Sequence, residues 1–485
     1  MIAGYCWPQS GRAGEPIELM VSSDADACEI VISRIGAEPT VVHHDEHVAA
    51  PTQPVPEDVA VNGCRWDPTL TIEIGPDWRS GFYLVELSTI EGDSAEAFFV
   101  VKASEPADSL LVLSTSTWAA YNDWGGPSFY TGGHVTSQLR PLPAGFLDKP
   151  DPHRYRVACF AELPAADVQD YFDSYSYWSA AAGWANWERI FAGWAEDQGL
   201  QLDYATSLDL ASEPGLLAPY SLYLSVGHDE YWSASMRDAV EGWVDDGGAA
   251  VFLSGNTSFW QVRFEDHGER IVGYKTDFEQ DPVVGTDAEH TVSTMWSDPL
   301  CRRPENEMTG VSFTRGGYAR VRNSPRGSGG YTVWRPDHWV FDGLDLRTGD
   351  LLGADPVVVG YECDGCELQL VDGRPVPTGA GGTPPDFEVL ATAPANLWQT
   401  HEVAPGLVDS YIGELNWVAE RLGGADTPEN RDRFAVGNAV LGSYRRGRGE
   451  VFTTGCTDWA YGLGDDEVAQ VTRTVISRYV ALKED

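Results

Sequence analysis

Lysine is nearly missing from this chain. Only Lys102, Lys149, Lys275 and Lys483 stand among 485 residues, against 74 Asp and Glu, and the formal net charge is −42. A surface of that sign repels nucleic-acid phosphates and anionic lipid, which argues against both as partners. It suits a salt-rich setting, where self-repulsion is screened, or a GC-rich prokaryotic source. Long apolar runs are missing too. No stretch approaches the ~18 apolar residues of a membrane span. The first residues, Met1-Ile2-Ala3-Gly4-Tyr5-Cys6-Trp7-Pro8, have neither the basic nor the apolar region of a secretory signal. The expectation is a soluble, cytoplasmic protein. Cysteine is sparse: eight residues at irregular spacing make no disulfide framework, so reduced thiols are expected. Cys363-Asp364-Gly365-Cys366 is one CxxC without a second pair and reads as a turn. No Walker or GxGxxG pattern occurs, so no nucleotide site is inferred.

Aromatic residues, by contrast, are plentiful: 18 Trp, 20 Tyr and 17 Phe. They bring large buried area with polar tips, in a core or a cleft. At roughly 150 residues per domain, the length predicts two to four domains. Residues 1–104 read as an all-β sandwich, with strand-like runs at 17–21, 28–32, 82–87 and 98–101 separated by Gly, Pro and Asp. Residues 105–485 read as an α/β domain with a mostly parallel sheet, in amidotransferase- or flavodoxin-like layering. Strands are expected at 110–113, 221–226, 249–253, 356–360, 438–443 and 450–454. Helices are expected at 187–197, 234–245 and 466–481. Ser233 is the expected N-cap of the second, and Gly247-Gly248 its stop. Residues 256–350 read as a β-rich or irregular insertion, and 370–385 as a loop or flap.

Ligands of parallel sheets bind beyond the carboxyl ends of the strands. Gly227-His228-Asp229-Glu230-Tyr231-Trp232 falls at such an end. One His, two acids and a Tyr within four residues can supply a general base, carboxylates and metal ligands. His228, Glu230 and Tyr231 are therefore the catalytic candidates. Tyr121 and Asn122 follow the first strand of the domain, and Ser254, Asn256 and Trp260 follow the strand at 249–253; these five are candidates for substrate binding. Cys456 also follows a strand. No His follows His401, so the Cys-then-His order of a class I amidotransferase is not met.

One family resemblance rests on residues 216–233. Leu216-Leu217-Ala218-Pro219-Tyr220 leads into Val226-Gly227-His228-Asp229-Glu230-Tyr231-Trp232-Ser233. It continues through Leu253-Ser254-Gly255-Asn256, Phe259-Trp260, Arg303-Pro304-Glu305-Asn306 and Met308-Thr309-Gly310-Val311. The chain resembles the N,N-dimethylformamidase large (beta) subunit, its C-terminal region in particular. The resemblance implies hydrolysis of a small amide or related C–N bond, assisted by one iron ion held by two Tyr and one Glu. Tyr231 matches one tyrosine. Ile190 stands at the position of the other, with Trp187 and Glu188 nearby. Thr291 stands at the position of the glutamate, just after Glu289 and His290. Tyr231, Glu289 and His290 are thus the metal-ligand candidates, with His228 in reserve. A small partner subunit, as in that family, and self-association are both left open. Two other readings share the scaffold: a non-catalytic ligand- or glycan-binding protein, and a different metalloenzyme.

Overall fold

A computed structural model describes residues 1–321, 324, 327–397 and 414–480. Two sheets built from residues 2–101 face each other. One is antiparallel, ordered Ile2–Trp7, Pro16–Ser23, Leu70–Glu73. The other runs Ser10–Gly11, Ser94–Val101, Gly81–Ser88, Ala27–Ile35, Thr40–Ala49. Strand alternation explains the packing. Ile17, Leu19 and Val21 point one way and meet Ile30, Ile32, Val85 and Phe99 from the second sheet in one buried cluster. This is the expected sandwich.

The sandwich is fastened to the α/β region by ring stacking and ion pairs. Phe82 stacks on Trp184 with ring centroids 4.1 Å apart. The Lys102 ammonium donates to Asp209 at 2.7 Å and also pairs with Glu213.

The large sheet is mixed. Its parallel half is Leu202–Thr206, Ser109–Leu113, Leu222–His228, Ala249–Gly255 and Gly449–Thr453. Val436–Arg446, Glu388–Asn396, Ser312–Tyr318 and Glu362–Gly365 extend it antiparallel. The expectation of a mostly parallel sheet therefore holds for one half only. Helices cover both faces of that half. Leu111 and Leu113 pack with Phe191 and Ala195 of helix Glu188–Asp197 and with Val471 and Val475 of helix Asp466–Ser477. Leu110 and Val112 pack with Val240 and Val244 of helix Ala234–Asp245.

Four expectations need correction. Residues 356–360 form a turn, not a strand, and Val357 has φ +60°, outside the extended region despite its β-branched neighbours. The strand starts two residues later, at Glu362. The stretch 256–350 is no mere insertion, because Ser312–Tyr318 lies within the main sheet. The loop at 370–385 is partly a hairpin, Leu368–Val371 against Arg374–Pro377. The last helix ends at Ser477, and Ala481, its expected end, lies outside the described residues.

Candidate active site

Two parallel strands deliver the central residues. Leu222–His228 is buried throughout and pairs in register with Ala249–Gly255, so His228 lies opposite Gly255. The chain then turns at Gly227, where φ is +81° and an added Cβ would stand 2.4 Å from the Cβ of Trp187. Only glycine satisfies both conditions. A short strand, Tyr231–Ser233, pairs with Trp260–Glu265, and the Ser233 hydroxyl accepts from the Met236 amide to cap the next helix.

Glu230 is the hub. It is 3% exposed, and its carboxylate accepts from the Tyr121 hydroxyl at 3.0 Å, the Tyr130 hydroxyl at 3.0 Å and the Trp260 indole at 2.8 Å. The Tyr231 hydroxyl donates to that of Tyr130 at 2.8 Å. Burial works against the Glu230 charge. The bonds and charges of His228, Lys275 and Tyr130 outweigh it and hold the carboxyl below its usual range. Burial, then the Glu230 charge, pushes Tyr121, Tyr130 and Tyr231 well above the ordinary phenol value. The carboxylate is thus ionised and the phenols are neutral donors.

His228 lies beside it. Its Nδ1 donates to the Ala181 carbonyl at 2.7 Å, which fixes the orientation of the ring. Its Nε2 faces Glu362 at 2.7 Å and Glu230 at 3.3 Å. Burial alone would lower its basicity, but these carboxylates raise it well above the ordinary imidazole value. His228 is an imidazolium donating to Glu362. The Asn256 amide also donates to Glu362, at 3.2 Å. Asn256 sits at φ +51°, just past its strand, and its buried Oδ1 has no hydrogen-bond partner. The Lys275 ammonium lies 3.5 Å from the Tyr130 ring centroid.

A cavity of about 670 Å³ opens above this cluster. Glu230, Glu362, Asn256, Tyr121 and Tyr130 reach its wall, as does Glu414 from helix Glu414–Gly423.

Of the sequence candidates, the structure brings together His228, Glu230, Tyr231, Tyr121, Asn256 and Trp260. It leaves Asn122 and Ser254 outside. The Asn122 amide binds the Pro141 carbonyl, and the Ser254 hydroxyl is held between Ser225 and Thr257. It also leaves Glu289 and His290 outside. They sit on a short turn, with His290 exposed and Glu289 accepting from the Gly285 amide. Ile190 packs against the core. Among the described residues, no three His, Cys, Asp or Glu side chains converge on one metal position. Cys456 is fully buried, which raises its thiol to about 12 and leaves it unreactive. Tyr130, Lys275, Glu362 and Glu414 are additions that the sequence did not single out. Glu362 is the first residue of its strand, and no local pattern in the sequence marks it as part of this site.

The family described as N,N-dimethylformamidase beta subunit-like, C-terminal, matches residues 30–472, nearly the whole chain. The chain belongs to this family. It is 23% identical to the N,N-dimethylformamidase beta subunit of Paracoccus aminophilus, over 87% of this chain and 55% of that protein. It is equally similar to the subunit of the same name from an Alcaligenes species, again at 23% identity over 87% of this chain. The chain spans about half the length of the curated relatives it matches. Against the Tyr, Tyr and Glu of the family resemblance, Tyr130, Tyr231 and Glu230 form one connected set of hard oxygen donors, a kind that suits a ferric ion.

Proposed function

We propose that the chain hydrolyses the C–N bond of an amide held in the cavity above Glu230. The observation that carries this reading is Glu362, a carboxylate on the cavity wall, gripped by the His228 imidazolium at 2.7 Å beside a cluster of phenol donors. Glu362 takes a proton from water. The hydroxide adds to the carbonyl carbon, and the C=O electrons move onto oxygen. The phenol O–H groups of Tyr121 and Tyr130, given to Glu230 in the resting site, turn to donate to that oxygen, with the Lys275 charge behind Tyr130. Glu362 then passes its proton to the amide nitrogen, the C–N bond breaks, and a carboxylic acid and an amine leave. Glu230 keeps the phenols aimed and His228 keeps Glu362 placed.

If the iron of the family resemblance were bound, Tyr130, Tyr231 and Glu230 would hold it, and it would supply Lewis-acid chemistry to this site. The relatives are named beta subunits, and a partner subunit is proposed for this chain on that ground.

The test is amine release from a panel of formamides and small amides, for the wild type and for Glu362→Gln. The expectation is turnover in the wild type and a loss of at least about 100-fold in the variant. Equal turnover in the two would remove Glu362 from the chemistry. Ligand binding with no amine released from any amide would favour a binding protein instead.

A further inference from the structure

The lining of the cavity is lopsided in charge. Among the described residues, three carboxylates reach its wall (Glu230, Glu362 and Glu414), and no Arg, Lys or His does. Two cations, His228 and Lys275, sit behind that wall, and burial raises the Glu414 carboxyl above its usual range. The rest of the wall is rich in aromatic rings. Trp178 lies 5.7 Å from Tyr121 and 5.1 Å from Tyr130, centroid to centroid, and Tyr318 lies 6.4 Å from Tyr361. Ring faces beside carboxylates are the usual surroundings of an organic cation. The protein already shows the pairing, since the Lys275 ammonium rests 3.5 Å from the Tyr130 ring centroid and 5.0 Å from that of Trp260.

Two further observations point to a ligand. Asn256 is 2% exposed and lines the cavity, yet its Oδ1 accepts from nothing. A buried acceptor left without a donor is costly, so an N–H or O–H of a ligand is the natural partner. The volume, about 670 Å³, lies well inside the roughly 300–1,000 Å³ range of pockets for drug-sized ligands and is generous for a simple formamide. The net charge of −42 also draws cations toward the molecule.

We infer that the cavity recognises a compact organic cation, and that the substrate is an amide carrying such a group, its N–H donated to Asn256. The cation site stands on the cavity alone; the word substrate rests on the hydrolytic reading above.

The experiment is calorimetric titration of the full chain with choline and with its uncharged carbon isostere, 3,3-dimethylbutan-1-ol. Choline should bind at least about tenfold more tightly, in line with a desolvated cation–π contact. Trp178→Ala and Glu414→Gln should each cut that preference to below about threefold, and two separate variants guard against one that misfolds. Amine release is then measured from the formamides of the matching cationic and uncharged amines. Choline bound with neither formamide cleaved would keep the cation site and overturn the hydrolysis. Both formamides cleaved equally, with no preference for choline, would keep the hydrolysis and overturn the cation site. Equal affinity for choline and its isostere, or no binding of either, overturns the inference.

Discussion

Glu230 accepts from two phenols and an indole and sits beside an imidazolium and an ammonium, so its charge organises every polar group around it. Glu230→Gln should lower amine release by at least about 100-fold while the circular dichroism spectrum stays unchanged. Tyr231→Phe removes only the hydroxyl that donates to Tyr130, and about a tenfold loss is expected. Wild-type turnover in both variants would contradict the arrangement. Glu188 supplies a test of a different kind. It is 1% exposed, and burial, only partly offset by the groups of Ser114 beside it, raises its value from 4.5 to about 8. The fold therefore favours the protonated form. The stability this contributes is complete below about pH 4.5 and is lost as pH rises through about 8. Between pH 5 and pH 9 the melting temperature of Glu188→Gln should fall less than that of the wild type, and parallel curves would refute the claim. Lysine shows the same economy of placement. Lys102 and Lys149 are buried and Lys275 is half-buried, so each described lysine has an interior partner and the described surface is left to arginine.

Elements whose signals are local were legible in the sequence. Helix Ala234–Asp245 has its cap at Ser233, an apolar face through Met236, Val240 and Val244, and glycines beyond its end. Strands Leu222–His228 and Ala249–Gly255 are short apolar runs on either side of it. Of the antiparallel half only Val436–Arg446 was legible, at 438–443; Ser312–Tyr318 was not, because it pairs with strands some fifty and eighty residues away and no local pattern fixes such a partner. The Val357-Val358-Val359 run misled for a related reason: Val358 and Val359 are buried, and β-branched side chains are as welcome in a buried turn as in a strand. The loop after His228 is where element and site meet. Gly227→Ala must fit a Cβ 2.4 Å from that of Trp187 at a φ of +81°, and should cost about 2–4 kcal/mol of stability by urea unfolding. A change within about 0.5 kcal/mol would mean that the turn is not held as described.

Across the whole molecule, half of the site lies in one loop and half is gathered from far away. His228, Glu230 and Tyr231 were visible because they are neighbours in sequence. Tyr130 precedes Glu230 by 100 residues, and Glu362 reaches His228 from a later strand, so only the folded chain unites them. The metal-ligand candidates Glu289 and His290 were chosen by position along the sequence, and the structure places them on an outlying turn. Charge is the other property of the whole. With a net charge of −42, self-repulsion opposes the compact state, and raising sodium chloride from about 0.05 M to about 1 M should raise the melting temperature. A fall would show that the acidic surface is compensated in some other way. The central claim is that the Glu362–His228 pair performs amide hydrolysis in the cavity above Glu230. Amine release by the wild type and by Glu362→Gln, each checked for an unchanged circular dichroism spectrum, tests it most directly. The account predicts release by the wild type and at least about a 100-fold loss in the variant. Release at the same rate from both would contradict it.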